Sequence, residues 1–128
     1  MIPKFRAWDK LRKRISVVDR IYFDTEGVQL RDDGGLYWRH FREVILMQST
    51  GLKDKNGKEI FEGDVVRQVR TQPTTENETI TGVVTMIEGT WLIMNDCEQL
   101  ASKLWSETDE NEIIGNIYEN SELLEDKE

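Results

Sequence analysis

The sequence is poor in the residues that most often carry chemistry. It has one cysteine, Cys97, and one histidine, His40. A lone cysteine forms no internal disulfide, and with a single histidine it supplies no cluster of soft ligands for a structural zinc site. Both facts agree with a reducing compartment. Prolines number only two, and there is no internal repeat or low-complexity tract. No apolar run approaches the length of a membrane span, and the first residues lack the uninterrupted apolar stretch of a secretory leader. The expected location is the cytoplasm.

What the chain does have is material for a core and an uneven charge. Its 128 residues are 38% hydrophobic and 9% aromatic, enough to bury the interior of one domain of ordinary size. Four tryptophans, Trp8, Trp38, Trp91 and Trp105, add large apolar area where they point inward. The formal net charge of -8 is split: residues 1–42 carry ten Lys or Arg against six Asp or Glu, and residues 96–128 carry two against eleven. The ordinary reading of such asymmetry is a solvated surface with an acidic tail; the other is a field that could steer a partner to either end or attract two copies head to tail.

Apolar periodicity reads mostly as strands. Residues 2–8 alternate, Asp9 to Lys13 make a charged turn, and Ile15, Val17, Ile21 and Phe23 continue at even spacing, with a bulge or a new strand expected at Asp19. Glu26-Gly27 and the Asp32-Asp33-Gly34-Gly35 stretch are turns, and residues 36–42 suit either a strand or one helical turn. Residues 44–48 predict a strand covered on both faces, and residues 65–70 another. Residues 72–78 predict an exposed loop, and residues 80–87 and 91–94 a hairpin across Glu88-Gly89-Thr90. Cys97, Leu100, Ala101, Leu104 and Trp105 recur at helical spacing behind Asn95 or Asp96 as cap, predicting one short helix. Residues 113–118 predict a closing strand, with Gly115 at a bulge or close approach, and residues 121–128 a frayed acidic tail. The fold class expected is mainly β: a small barrel-like or meander domain with that one short helix in the C-terminal half. It spans residues 1–128 as one domain, built either as one body or as two lobes, about 1–47 and 48–120, sharing a core.

The most explicit turn chemistry lies in residues 48–66. Asp54, Asn56 and Gly57 tolerate a left-handed backbone and predict a tight turn, while Gly51 and the Glu62-Gly63-Asp64 run mark further reversals. This stretch, from Thr50-Gly-Leu-Lys-Asp-Lys-Asn-Gly-Lys-Glu-Ile-Phe-Glu-Gly-Asp-Val-Val, resembles the central signature of the YopX family, small proteins encoded by bacteriophages and prophages. Lys4-Phe-Arg-Ala-Trp-Asp9 is similar to the family's opening, and Ile113-Ile-Gly-Asn-Ile-Tyr-Glu-Asn120 with Leu123-Leu-Glu125 to its closing motif. Three ordered motifs span nearly the whole chain. The resemblance implies a fold and a phage or prophage origin, hence a bacterial host cell, and brings no activity with it.

The residues themselves point away from catalysis. Gly57-Lys58 lacks the glycine five positions earlier and the following hydroxyl of a phosphate-binding loop, since Leu52 and Glu59 stand there. Glu59, Glu62 and Asp64 have no calcium-loop spacing and suit the solvation of a turn. His40 has no adjacent nucleophile or orienting carboxylate in the sequence, and Cys97 sits on an apolar stripe. The expectation is a non-enzymatic protein without cofactor or metal, a protein-interaction module that associates with itself or with a phage or host protein. The alternative is nucleic-acid binding by the basic N-terminal segment Lys4, Arg6, Trp8, Lys10, Arg12, Lys13 and Arg14, where cations would track phosphates and a ring would stack on a base. A sequence pI near 4.8 weighs against that alternative.

Overall fold

Apolar alternation interrupted by glycine-bearing turns gives eleven strands and a single 3-10 turn among the described residues. The computed structural model describes residues 4–70, 79–95, 99–105 and 109–120. The chain divides into two compact units, Met1–Ser49 and Thr50–Glu128.

The first unit is an antiparallel sheet in the order β4-β3-β2-β1-β5. Its strands are β1 (Phe5–Asp9), β2 (Arg14–Tyr22), β3 (Gly27–Asp32), β4 (Gly35–His40) and the first part of β5 (Val44–Lys53), with the 3-10 turn Phe41–Glu43 before β5. The ambiguity of residues 36–42 thus resolves into a strand followed by that turn. Register aligns Ala7 with Ser16 and Leu46, and Leu30 with Val18 and Tyr37. One face therefore gathers Ala7, Val28, Leu30 and Val44, with Val18, Ile21, Tyr37, Phe41 and Leu46 packed against them. A bulge at Asp19 shifts the β2–β3 register between Val18 and Arg20. The inward set on β2 is consequently Ser16 and Val18, then Ile21. Val17, which shares even spacing with Ile15 and Ile21, is turned out to solvent, as is Phe23 beyond the strand.

The second unit holds the end of β5, a short β6 (Glu59–Phe61) beside it, and a five-stranded antiparallel sheet in the order β10-β9-β8-β7-β11. That sheet is built from β7 (Asp64–Arg70), β8 (Thr79–Ile87), β9 (Thr90–Asn95), β10 (Leu100–Lys103) and β11 (Asp109–Asn116). Its core is Ile60, Val66, Val84, Ile93 and Leu104, with Leu52, Trp91 and Ile113 against them. The expected bulge appears where the β7–β11 register shifts between Ile113 and Gly115.

Two expectations of the fold class are corrected. The sheets are open and do not close into a barrel: the first ends at β4 and β6, and the second at β10 and β11. The short helix is absent where it can be judged, because Leu100–Lys103 is a strand paired with β9, while Cys97 lies outside the described residues. The reason is tertiary. Gln99 adopts a left-handed φ of 54°, which no helix tolerates. The fully buried Gln68 amide then donates to the carbonyls of Lys103 (3.0 Å) and Leu104 (3.4 Å) and to Asn111 Oδ1 (3.0 Å), and the Ser102 hydroxyl donates to Gln68 Oε1 (2.7 Å). These bonds fix an extended chain in which Leu104 is buried, and Ala101 and Trp105 face water.

Candidate interaction face

The motif residues are turn builders. Asp9, at the end of β1, is fully buried, and its carboxylate accepts the backbone N–H of Leu11 (2.9 Å) and Arg12 (3.2 Å), the Tyr37 hydroxyl (3.1 Å) and Arg39 Nε (3.2 Å). Ser16 completes this cluster at 2.7 Å from the Tyr37 hydroxyl. Burial pushes the Asp9 carboxyl up, but the hydrogen bonds from Arg12, Leu11, Tyr37 and Arg39 together hold it below the ordinary carboxylate value. Asp54 does the same for the central signature. Its Oδ1 accepts from the N–H groups of Asn56 and Lys58, both at 2.9 Å, and its Oδ2 from that of Ile113 at 3.0 Å. Burial again raises its pKa, and the bonds from Ile113, Lys58 and Asn56 with the nearby Lys58 charge outweigh this and lower it. Gly57, at φ 83° in open space, closes the turn in a conformation that costs a side-chain-bearing residue strain.

The rest of the signature is equally structural. Asp64 accepts the Phe61 N–H (2.8 Å), Gly63 N–H donates to the Val84 carbonyl (3.0 Å) and Ile117 N–H to the Gly63 carbonyl (3.0 Å). Gly51 lies exposed within β5, Asn56 is exposed on the turn, and Glu62 is half-buried beside Gly63. Asn116 holds the closing motif by accepting the N–H groups of Tyr118 (3.0 Å) and Glu119 (2.9 Å). Among the described residues no three His, Cys, Asp or Glu side chains stand together as a metal site, and no helix is long and apolar enough to cross a membrane.

The basic N-terminal segment is divided by the sheet. Lys4 precedes β1. Arg6 and Trp8 project from one face of β1, whereas Arg14 is aligned with Asp9 and projects from the other. Lys10, Arg12 and Lys13 occupy the β1–β2 turn, where Lys10 Nζ donates to the Arg42 carbonyl (3.2 Å). Arg12 Nη1 (2.7 Å) and Arg14 both converge on Asp32, and the Arg12 guanidinium lies 4.1 Å from the centre of the Tyr37 ring.

The opposite face of the same sheet presents a group that the sequence does not single out. Register aligns Val17 with Arg31 and Arg31 with Leu36, then Arg20 with Gln29 and Gln29 with Trp38, then Tyr22 with Gly27 and Gly27 with His40. Val17 is 57% exposed, Leu36 53% and Trp38 37%, with Tyr22 and His40 also exposed. The Trp38 indole lies down on Gly27, where a methyl group would overlap its six-membered ring. It is flanked by Tyr22 at 5.3 Å and by His40 edge-on at 6.2 Å. Arg31 stands between Val17 and Leu36 in the first row, Arg20 ends the second, and both pair with one carboxylate, Asp19. A shallow hollow of about 390 Å³ at this end of β2 and β3 is lined mostly by polar residues, Arg14, Ser16, Arg31, Asp32 and Asp33, with Ile15 and Val17, and draws on both faces of the sheet. The only sequence signal for this face is the bulge at Asp19, which changes which residues of β2 point outward.

β4 is also a sheet edge, and part of it is capped. Because the Phe41 N–H points inward to the Glu26 carbonyl (2.8 Å), alternation places the backbone groups of Leu36, Trp38 and His40 on the open side. There Arg39 Nη1 donates to the Trp38 carbonyl (2.9 Å) and the His40 N–H donates to Glu43 Oε1 (2.9 Å). Such capping blunts strand addition at that end and leaves the side-chain face as the accessible surface.

Turn-building carboxylates, two open sheets and an exposed aromatic face define a two-unit antiparallel β protein. The chain belongs to the YopX protein family, whose model matches residues 4–125. Protein EF1440 from Enterococcus faecalis, of known crystal structure, is similar at 31% identity over 98% of this chain and 99% of its own, with a TM-score of 0.63. The yopX protein from Bacillus subtilis shares the fold at 19% identity over 98% of each chain, with a TM-score of 0.64. No curated protein matches the chain.

Proposed function

We propose that this protein is a non-enzymatic, self-associating interaction module that serves a phage or prophage function in the bacterial cytoplasm. The observation that carries this reading is the β2–β4 face, where Val17, Leu36 and the adjoining Trp38 and Tyr22 rings are exposed on one side of the sheet, interleaved with Arg31 and Arg20. Aromatic rings with arginine are the composition of interface centres, and several large apolar side chains exposed on one sheet face are the surface a partner covers. The family motifs supply turns and anchor strands, so they support a scaffold for that surface. A nucleic-acid reading draws less support, since Arg12 and Arg14 of the basic N-terminal segment are paired with Asp32 and the sheet divides the rest of that segment between its two faces.

Sedimentation velocity on the purified protein across a wide concentration range tests the proposal. The expected result is a concentration-dependent rise in mass. A strict monomer at the highest concentration, or assembly that requires added DNA or RNA, overturns it.

A further inference from the structure

Resting on the self-association reading, we infer that the β2–β4 face of one copy receives the β8–β9 hairpin tip of a second copy, so that association is head to tail. The two units differ strongly in charge. Met1–Ser49 carries ten Lys or Arg against seven Asp or Glu, a surplus of three, and Thr50–Glu128 carries seven against eighteen, a deficit of eleven. Two copies of the first unit repel one another, so a face-to-face dimer brings like charge together. The second unit of another copy is attracted.

Within that second unit, the large apolar side chains exposed among the described residues are Met86, Ile87 and Trp105. Met86 and Ile87 end β8 at the Glu88-Gly89 turn, so the narrow tip carries one exposed apolar side chain on each face and a carboxylate at its end. The face has the complementary parts: exposed Val17, Leu36 and Trp38 for apolar contact, and Arg20 and Arg31 with one carboxylate between them, leaving net positive charge for Glu88. An apolar contact ringed by opposite charges on its two sides is heterologous, and such contacts build rings or open chains of copies.

Complementation between two variants tests this. Val17→Glu places a carboxylate on the face, opposite Arg31, and Ile87→Lys places a cation on the tip. The expected result is that each variant alone is monomeric at concentrations where the unaltered chain associates. An equimolar mixture then forms a discrete dimer, because the intact tip of one meets the intact face of the other. Leu36→Glu replaces Val17→Glu as the face variant where circular dichroism shows that the latter is unfolded. Associating wild type with a mixture that stays monomeric, or with face variants that associate normally, overturns the head-to-tail assignment while the self-association reading stands. A monomeric wild type overturns both.

Discussion

Two buried aspartates, Asp9 and Asp54, each tie down several backbone N–H groups in turns. Asp54 satisfies three N–H donors, two in its own turn and one on β11, where the central signature meets the closing motif. Asp54→Ala leaves those donors without an acceptor, and hydrogen bonds to a charged group contribute about 1.5–3 kcal/mol each, so the expected loss is at least ~3 kcal/mol. Asp54→Asn is instructive beside it: the amide keeps the shape and one acceptor, but its NH2 then faces an N–H. Urea unfolding of both variants checks this, with Asn expected between wild type and Ala. The same carboxylates set the acid limit. The folded pKa values of Asp9 and Asp54 lie below that of a carboxylate in the unfolded chain, so between the two the unfolded chain binds more protons than the native one. Their stabilisation is complete above that window and is lost as pH falls through the folded pKa values. The urea midpoint should therefore drop steeply below about pH 4, and Asp54→Asn should flatten part of that drop.

Scaled up to elements, the limits of reading the sequence become physical. The turns at Asp9, Asp54 and Asp32-Gly35, and the bulges at Asp19 and Gly115, are local devices, and local chemistry announces them. The strand at Leu100–Lys103 is different. Its apolar spacing suits a helix, and what overrides it is Gln68, more than thirty positions away, whose buried amide has its partners only in the folded state. The exposed face was equally hidden, because Val17 and Leu36 look like core residues until the bulge and the register say which side each takes. Gln68→Leu isolates the long-range element: it fills similar volume but strands Asn111, Ser102 and the Lys103 carbonyl. The expected outcome is a loss of roughly 2–4 kcal/mol, with hydrogen-exchange protection falling first in β10 and the facing part of β11. Uniform loss across the second unit would show that β10 depends on its β9 ladder instead.

For the molecule as a whole, the question is how far charge and apolar contact share the work of association. A surplus of three on one unit against a deficit of eleven on the other gives each copy a strong charge asymmetry. The proposed contact centre, by contrast, is made of Val17, Leu36, Trp38, Met86 and Ile87, which salt does not screen. The two contributions separate by ion type. Raising sodium chloride from 0.05 to 0.5 M shortens the screening length to a few ångströms and removes attraction between exposed charges, so association should weaken by roughly tenfold without vanishing. Sodium sulfate at matched ionic strength screens as well but strengthens apolar burial, so it should restore part of the loss. Sedimentation equilibrium in the two salts reads both terms from one protein. Association that disappears in chloride and is not recovered in sulfate would place the energy in the charges alone and leave Trp38 and its neighbours without a role in holding copies together. Insensitivity to both salts would remove the charge asymmetry as the reason for head-to-tail orientation.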